Sequence, residues 1–417
     1  MASAWSNWSG FVNAAPKLIA TPADVGELAD LVRSAPGPLR VAGAGHSFTP
    51  LVQSDGTIIS LAKIEGLVSH DAAANRARLR AGTRLGALMH ILQDIGQGLP
   101  NMGDIDKQAI GGALGTATHG SGPTLGAYHT QLETVQFVDG QGKLREYSRA
   151  GDQDMIHATG VALGAFGVLT EVTMNNIPTY RLRRRKWVLP IGEMLRDFET
   201  MMGAHRSAEF YYIPFSGYAQ FIASDLSDAT PTSRPTEDDE EGLATLRKLR
   251  TVLRRLPALR RALIKGAVKK VPAEDYVQDW LNVYASDRRT KFNEMEYHLP
   301  YEDGPRALAE IIALTEKHFP EVYFPMEVRS VAPDEFWLSP FHQRLTCSIA
   351  IHHDAANEPI FRKYGGRPHW GKMHSLTAAD FKKLYPRWDD AMAVRRDIDP
   401  ENRFVSPYMA GLFGIQQ

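Results

Sequence analysis

Arg40-Val41-Ala42-Gly43-Ala44-Gly45-His46-Ser47 runs from a short apolar strand into a turn of small residues that ends on a histidine. Small side chains let several backbone N–H groups converge on one point, a nest that suits a phosphate or pyrophosphate. The turn lacks the Gly-Lys-Ser of a P-loop, and its spacing is not that of the G-x-G-x-x-G fingerprint. A glycine turn alone is more often structural than functional. A plain turn, however, does not call for an imidazole directly after its glycines.

Upstream, Thr21-Pro22-Ala23-Asp24 reads as a helix start, with a hydroxyl cap and proline at the first helical position. Val25, Leu28, Leu31 and Val32 then form one apolar stripe. Downstream, Thr57–Leu61 and Ala77–Ala81 read as strands. Leu85, Leu88, Met89, Leu92 and Ile95 mark an amphipathic helix. From Gly103 to Gly126 seven of 24 residues are glycine, which suits backbone in close approach to a large flat ligand better than a packed turn. Asn101-Met102-Gly103-Asp104 opens this region, and Gly111-Gly112-Ala113-Leu114-Gly115-Thr116-Ala117-Thr118-His119-Gly120 is its centre. Glu133–Asp139 and Leu144–Ser148 flank Gly140-Gln141-Gly142 as a hairpin. Gly167-Val168 feeds a further strand.

The second half is less regular. Arg181–Lys186 reads as a basic strand edge, and Thr230–Glu241 as a flexible excursion. Leu246–Lys270 carries ten Lys or Arg. It reads as a solvated helix pair with Leu246, Leu249, Leu253 and Leu256 facing inward, with contact to an anionic surface or partner as the other reading. In Glu327-Val328-Arg329, a carboxylate and a guanidinium two residues apart share one strand face. Gly366-Arg367-Pro368-His369-Trp370-Gly371-Lys372 is a turn that could set a cation beside a ligand.

These four segments resemble the FAD-dependent sugar-1,4-lactone oxidases of the vanillyl-alcohol-oxidase superfamily. Gly43–Phe48, Thr116–Gly120, Glu327–Arg329 and His369–Lys372 occur in that family's order, and the likeness extends to Asp399–Phe404. The resemblance implies FAD, with Val41, Ala42, Gly43, Ala44, Gly45, His46 and Ser47 on its pyrophosphate and a covalent flavin bond at His46. It implies Gly112, Thr116, Ala117, Thr118 and His119 along the dinucleotide, Val168 near the adenine and His369 near the flavin. Glu327, Arg329 and Lys372 would be the catalytic group, and Asp104, His352 and Asp354 would face the substrate. Alditol oxidases carry a serine at the place of Asp104 and a threonine at the place of Asp354, so the expected substrate is an aldonolactone, with an alditol as the alternative. Gly103 stands where glycine accompanies oxidases and alanine dehydrogenases, which favours oxygen as acceptor and hydrogen peroxide as product.

The expected fold is α+β with two domains: an FAD-binding domain over 1–177, a substrate (cap) domain with an antiparallel sheet over 178–375, and a segment 376–417 returning to the FAD side. Composition agrees with a globular enzyme. The 417 residues are 43% hydrophobic and 23% charged, with a net charge of -1. That balance disfavours a general nucleic-acid binder. One cysteine, Cys347, permits neither an internal disulfide nor a thiolate metal cluster. Residues 1–20 lack a secretory pattern, and no run of about 18 apolar residues is present. The expectation is a cytoplasmic protein without a membrane span, acting on a small sugar lactone or polyol.

Overall fold

The computed structural model describes residues 4–235, 239–286, 289–352 and 355–416. The chain is α+β, and three sheets carry it. A parallel sheet has the order Leu18–Ala20, Thr57–Ser60, Leu39–Ala42. An antiparallel sheet of five strands has the order Leu144–Ser148, Leu132–Val138, Val168–Asn175, Arg76–Arg80, Leu67–Asp71. The hairpin about Gly140–Gly142 is the first pair of that sheet, with Leu144 opposite Val138.

Helix Val25–Ser34 packs Leu28 and Val32 between these two sheets, together with Leu39, Ile59, Val138, Val168 and Phe404. The helix begins later than its sequence suggests. Asp24, not Thr21, is the cap: its carboxylate accepts the N–H of Glu27, and Glu27 accepts the N–H of Ala23 in return. These two bonds satisfy two donors at the helix start at once.

The third sheet has eight strands in the order Glu274–Asp279, Arg181–Pro190, Tyr218–Leu226, Ser207–Ile213, Met326–Val331, Thr346–Ile351, Met295–Pro300, Arg367–Pro368. Arg181–Pro190 is therefore an interior strand, not an edge. Its cations divide by alternation. Arg181, Arg183 and Arg185 meet Asp279, Asp275 and Asp225, while Arg184 and Lys186 turn to the other face, toward Glu209 and Glu274. The excursion at 230–241 is pinned at its start, where Thr232 exchanges hydrogen bonds with Val277. Residues 236–238 lie outside the described residues.

The last segment returns to the first two sheets. Leu39 N–H donates to Arg403 O at 2.7 Å, and Gly140 N–H to Ile398 O at 2.9 Å. Among the described residues no helix is long and apolar enough to cross a membrane.

One buried side chain ties the ends together. Arg40 donates to the carbonyls of Leu51 (2.5 Å), Leu163 (2.6 Å), Phe404 (2.7 Å) and Gly164 (2.9 Å). Burial lowers its pKa to about 10, partly offset by Asp399. Replacing Arg40 by Met would leave these carbonyls without their donors. We expect a loss of about 3 kcal/mol or more in chemical denaturation, and a loss smaller than about 1 kcal/mol would show that the carbonyls find other donors.

Candidate active site

Two connected spaces make the site. The first is a groove over the parallel sheet and the start of the five-stranded one. Val41–Ser47 form one wall, and nine glycines line it: 43, 45, 82, 111, 112, 115, 160, 164 and 167. Gly45 needs its φ of +70°, and a Cβ on Gly82 would strike the carbonyl of Leu61 at 2.0 Å. At Gly112 a Cβ would meet nothing within 4 Å, because that backbone faces the open groove. The N–H groups of Ala44, Gly45, His46 and Ser47 donate to no protein acceptor among the described residues. Successive undonated N–H groups on a small-residue turn match the diphosphate of a dinucleotide.

The groove runs into the second space, a cavity of about 580 Å³, and His46, Ser47, Gln108 and Thr116 line both. The cavity floor is one face of the eight-stranded sheet. Cross-strand register sets Tyr211 opposite Glu327 and Glu209 opposite Arg329. Arg329 reaches Glu327 Oε1 at 2.5 Å, Glu209 Oε2 at 2.8 Å and Asp104 Oδ1 at 3.4 Å. Tyr211 Oη donates to Glu327 Oε1 at 2.6 Å.

One guanidinium thus serves three carboxylates. Burial, with Asp104, Glu209 and Glu294 nearby, pushes Glu327 up to about 8 despite Arg329. Burial works against the charge of Arg329, but Glu327, Glu209 and Asp104 outweigh it and hold its pKa up. Tyr211 is raised by burial and by the carboxylates Glu327 and Glu209.

A second network stands beside it. Lys372 Nζ lies 2.8 Å from Glu294 Oε2 and also contacts Glu296. Glu296 Oε1 takes the Ser348 hydroxyl and lies 3.0 Å from His119 Nε2. Burial opposes ionisation of Glu296, yet Lys372, His119 and His298 together hold it well below the usual carboxylate range. Lys372 stays cationic, because Glu294 and Glu296 overcome its burial. Burial lowers His369 to about 3, and its Nδ1 accepts the N–H of Gly371. Burial and Arg84 lower His46 to about 4, and its ring stacks on Trp8 with centroids 5.2 Å apart.

Most residues singled out from the sequence meet in these two spaces. Gly103, Asp104, Thr118, His119, Glu327, Arg329, His352, His369 and Lys372 line the cavity. His352 stacks on Phe324 at its wall. Two residues are placed otherwise. Ala117 has φ 58°, which turns its methyl into the core while Thr116 and Thr118 face the cavity. Val168 points into the core between the sheets; strand alternation gives the groove to its neighbours Gly167 and Leu169. Asp354 lies outside the described residues. Glu209, Tyr211, Glu294, Glu296, Arg184 and Lys186 were not anticipated. Their signal is a polar pair at i, i+2 in or beside a strand, the same signal that marks Glu327 and Arg329.

Comparison with known proteins agrees. Residues 16–148 match the FAD-binding domain family, and the chain is an FAD-dependent oxidoreductase. Residues 172–412 match the D-arabinono-1,4-lactone oxidase family, and the chain belongs to that family. It is similar to L-gulono-1,4-lactone dehydrogenase of Mycobacterium tuberculosis, 32% identical over 99% of this chain and 100% of the relative. It is also similar to L-gulonolactone oxidase of Mus musculus, 27% identical over 98% of both chains. Alditol oxidase of a Streptomyces species is 27% identical over 99% of both chains. Among solved structures, a cholesterol oxidase of Brevibacterium sterolicum shares the fold at TM-score 0.75 and 17% identity, covering 99% of this chain and 97% of that one. The enzyme acts on CH–OH groups, and its family supports flavin-dependent oxidation of a sugar lactone.

Glu296 is central to the second network. Glu296→Gln leaves the Lys372 ammonium without one of its two carboxylates. Breaking such a buried pair costs about 3 kcal/mol or more, to be read as a lower denaturation midpoint at unchanged slope. Wild-type stability in the variant would mean that Glu294 alone suffices.

Proposed function

We propose that the enzyme oxidises a hydroxyl of an aldono-1,4-lactone of the L-gulono, L-galactono or D-arabinono type, with molecular oxygen as acceptor and hydrogen peroxide as product. The observation that carries this reading is Glu327, a cavity carboxyl tuned to about 8 and held by Tyr211 and Arg329. FAD, held by the Val41–Ser47 turn and the glycine-lined groove, would supply the hydride acceptor. The chain supplies the rest. Glu327 takes the hydroxyl proton as the carbinol C–H is broken. Arg329 keeps the base oriented and offers its guanidinium to the lactone oxygens. Lys372 keeps a buried positive charge beside the reacting groups.

The base works only when deprotonated, so kcat/KM should rise with pH and level off above about 8. Glu327→Gln should remove that rise and lower kcat about a hundredfold or more. A variant that keeps the wild-type pH profile would remove Glu327 from the proton path.

His46 is the proposed covalent anchor. With its pKa lowered to about 4, the ring is neutral at pH 7 and has a nitrogen lone pair to bond the flavin. Acid precipitation should leave the yellow colour with the wild-type protein and release it from His46→Ala. Release from both would reduce His46 to a contact.

Gly103 bears less on oxygen than the resemblance implies. A Cβ there would lie 2.9 Å from the carbonyl of His119, so packing alone calls for glycine. The dehydrogenase named among the relatives favours a second reading, in which another acceptor replaces oxygen. Anaerobic bleaching of the flavin by each lactone and by xylitol identifies the substrate class. One peroxide formed per lactone in air identifies an oxidase. Bleaching without peroxide identifies a dehydrogenase, and bleaching by xylitol alone overturns the lactone reading.

A further inference from the structure

The helices Asp239–Val252 and Pro257–Val268 are not accounted for by the lactone chemistry. Their inner side walls the cavity through Leu246, Leu249, Ile264 and Val268. Their outer side exposes a second apolar stripe. Val252, Leu256, Leu259 and Leu263 are between 46% and 69% exposed; Leu259 and Leu263 fall at i and i+4 of the second helix, and Leu256 caps its start. Leu256, expected from the sequence to face inward, belongs to this outer stripe. Four large aliphatic side chains on one two-helix element are unlike singly scattered surface leucines.

The charge around the stripe has one sign. No Asp or Glu occurs from residue 242 to 273. Arg250, Arg260, Arg261 and Lys269 sit over the rings of Tyr323, Phe215 and Tyr218 and belong to the folded surface. Arg247, Lys248, Arg254, Arg255, Lys265 and Lys270 are exposed. This happens in a chain whose net charge is only -1, so the cations are concentrated here rather than spread.

We propose that this helix pair docks on an anionic lipid surface. The leucines enter the boundary between headgroups and acyl chains, and the six exposed cations meet lipid phosphates. A second copy of the chain fits the stripe less well, because a twofold contact would bring the same cations against each other. A nucleic acid would match the charge but leave the aliphatic stripe without an apolar partner. Because the inner side of the same helices walls the cavity, docking places the substrate cavity next to the lipid.

The test is co-sedimentation of the FAD-loaded enzyme at physiological salt with vesicles of phosphatidylcholine alone and of phosphatidylcholine mixed with phosphatidylglycerol. The bound fraction should be about tenfold higher on the anionic vesicles. The variant Val252→Gln/Leu256→Gln/Leu259→Gln/Leu263→Gln should lose about tenfold of that binding. So should Arg254→Gln/Arg255→Gln/Lys265→Gln/Lys270→Gln. Both variants should keep the wild-type flavin spectrum and lactone oxidation with a water-soluble dye acceptor, which shows that they fold. Wild-type enzyme that stays in the supernatant with both vesicles overturns the proposal. Full binding by the aliphatic variant also overturns it, since the stripe would then not enter the lipid. A dimer in sedimentation velocity that the aliphatic variant converts to monomer, without vesicle binding, assigns the stripe to self-association instead.

Discussion

The Arg40 guanidinium is the constraint on which the groove depends. It sits in the short parallel strand Leu39–Ala42, just before the chain enters the glycine turn. Its carbonyl partners come from the turn after that strand, from the loop before Val168 and from the C-terminal segment. A charge with no carboxylate in contact would be costly at this depth unless its N–H groups were satisfied, and four carbonyls do so. The same bonds hold apart the two walls of the groove. The turn can then keep its N–H groups undonated, since other groups carry the load of local structure.

The cavity obeys a different rule. Its floor is a sheet face that carries carboxylates and cations where a core would carry valine or leucine. Buried ionic groups persist only when paired and hydrogen-bonded. Here the pairing is uneven by design of position: three carboxylates meet Arg329, and two meet Lys372. The imbalance shifts the groups in opposite directions. Glu296 is fixed as an anion next to Lys372, while Glu327 is left close to its titration point. Two carboxylates on one sheet face thereby take on different chemical characters from their neighbours alone.

The parts of the site legible in the sequence are local and unusual in composition. Small residues followed by His46, the glycines around Gly112, and the turn ending in Lys372 each violate what a packed element would use. Glu327 and Arg329 were legible because both sit on one short strand. Glu209, Tyr211, Glu294 and Glu296 follow the same i, i+2 pattern. Taken alone, each such pair resembles the solvent face of an ordinary strand. Only the strand order, which sets Ser207–Ile213 beside Met326–Val331 and Met295–Pro300 two strands further on, turns these faces into one floor. The helix pair that covers the floor hides it from water, and that covering is a tertiary fact. The helix start falls at Asp24 rather than Thr21, a local choice that the Asp24 carboxylate makes by accepting the N–H of Glu27.

The walls of the groove come from both ends of the polypeptide. Thr49 and Phe48 bond to Trp370 and Gly371, while Leu39 and Arg40 bond to Arg403 and Phe404. These partners lie more than 300 residues downstream of the strand and turn they hold, and they leave the ribosome long after them. The earlier half of the chain, although it contains the entire glycine turn, lacks these partners for closing the groove. Closure of the groove therefore waits on segments made long after the turn itself.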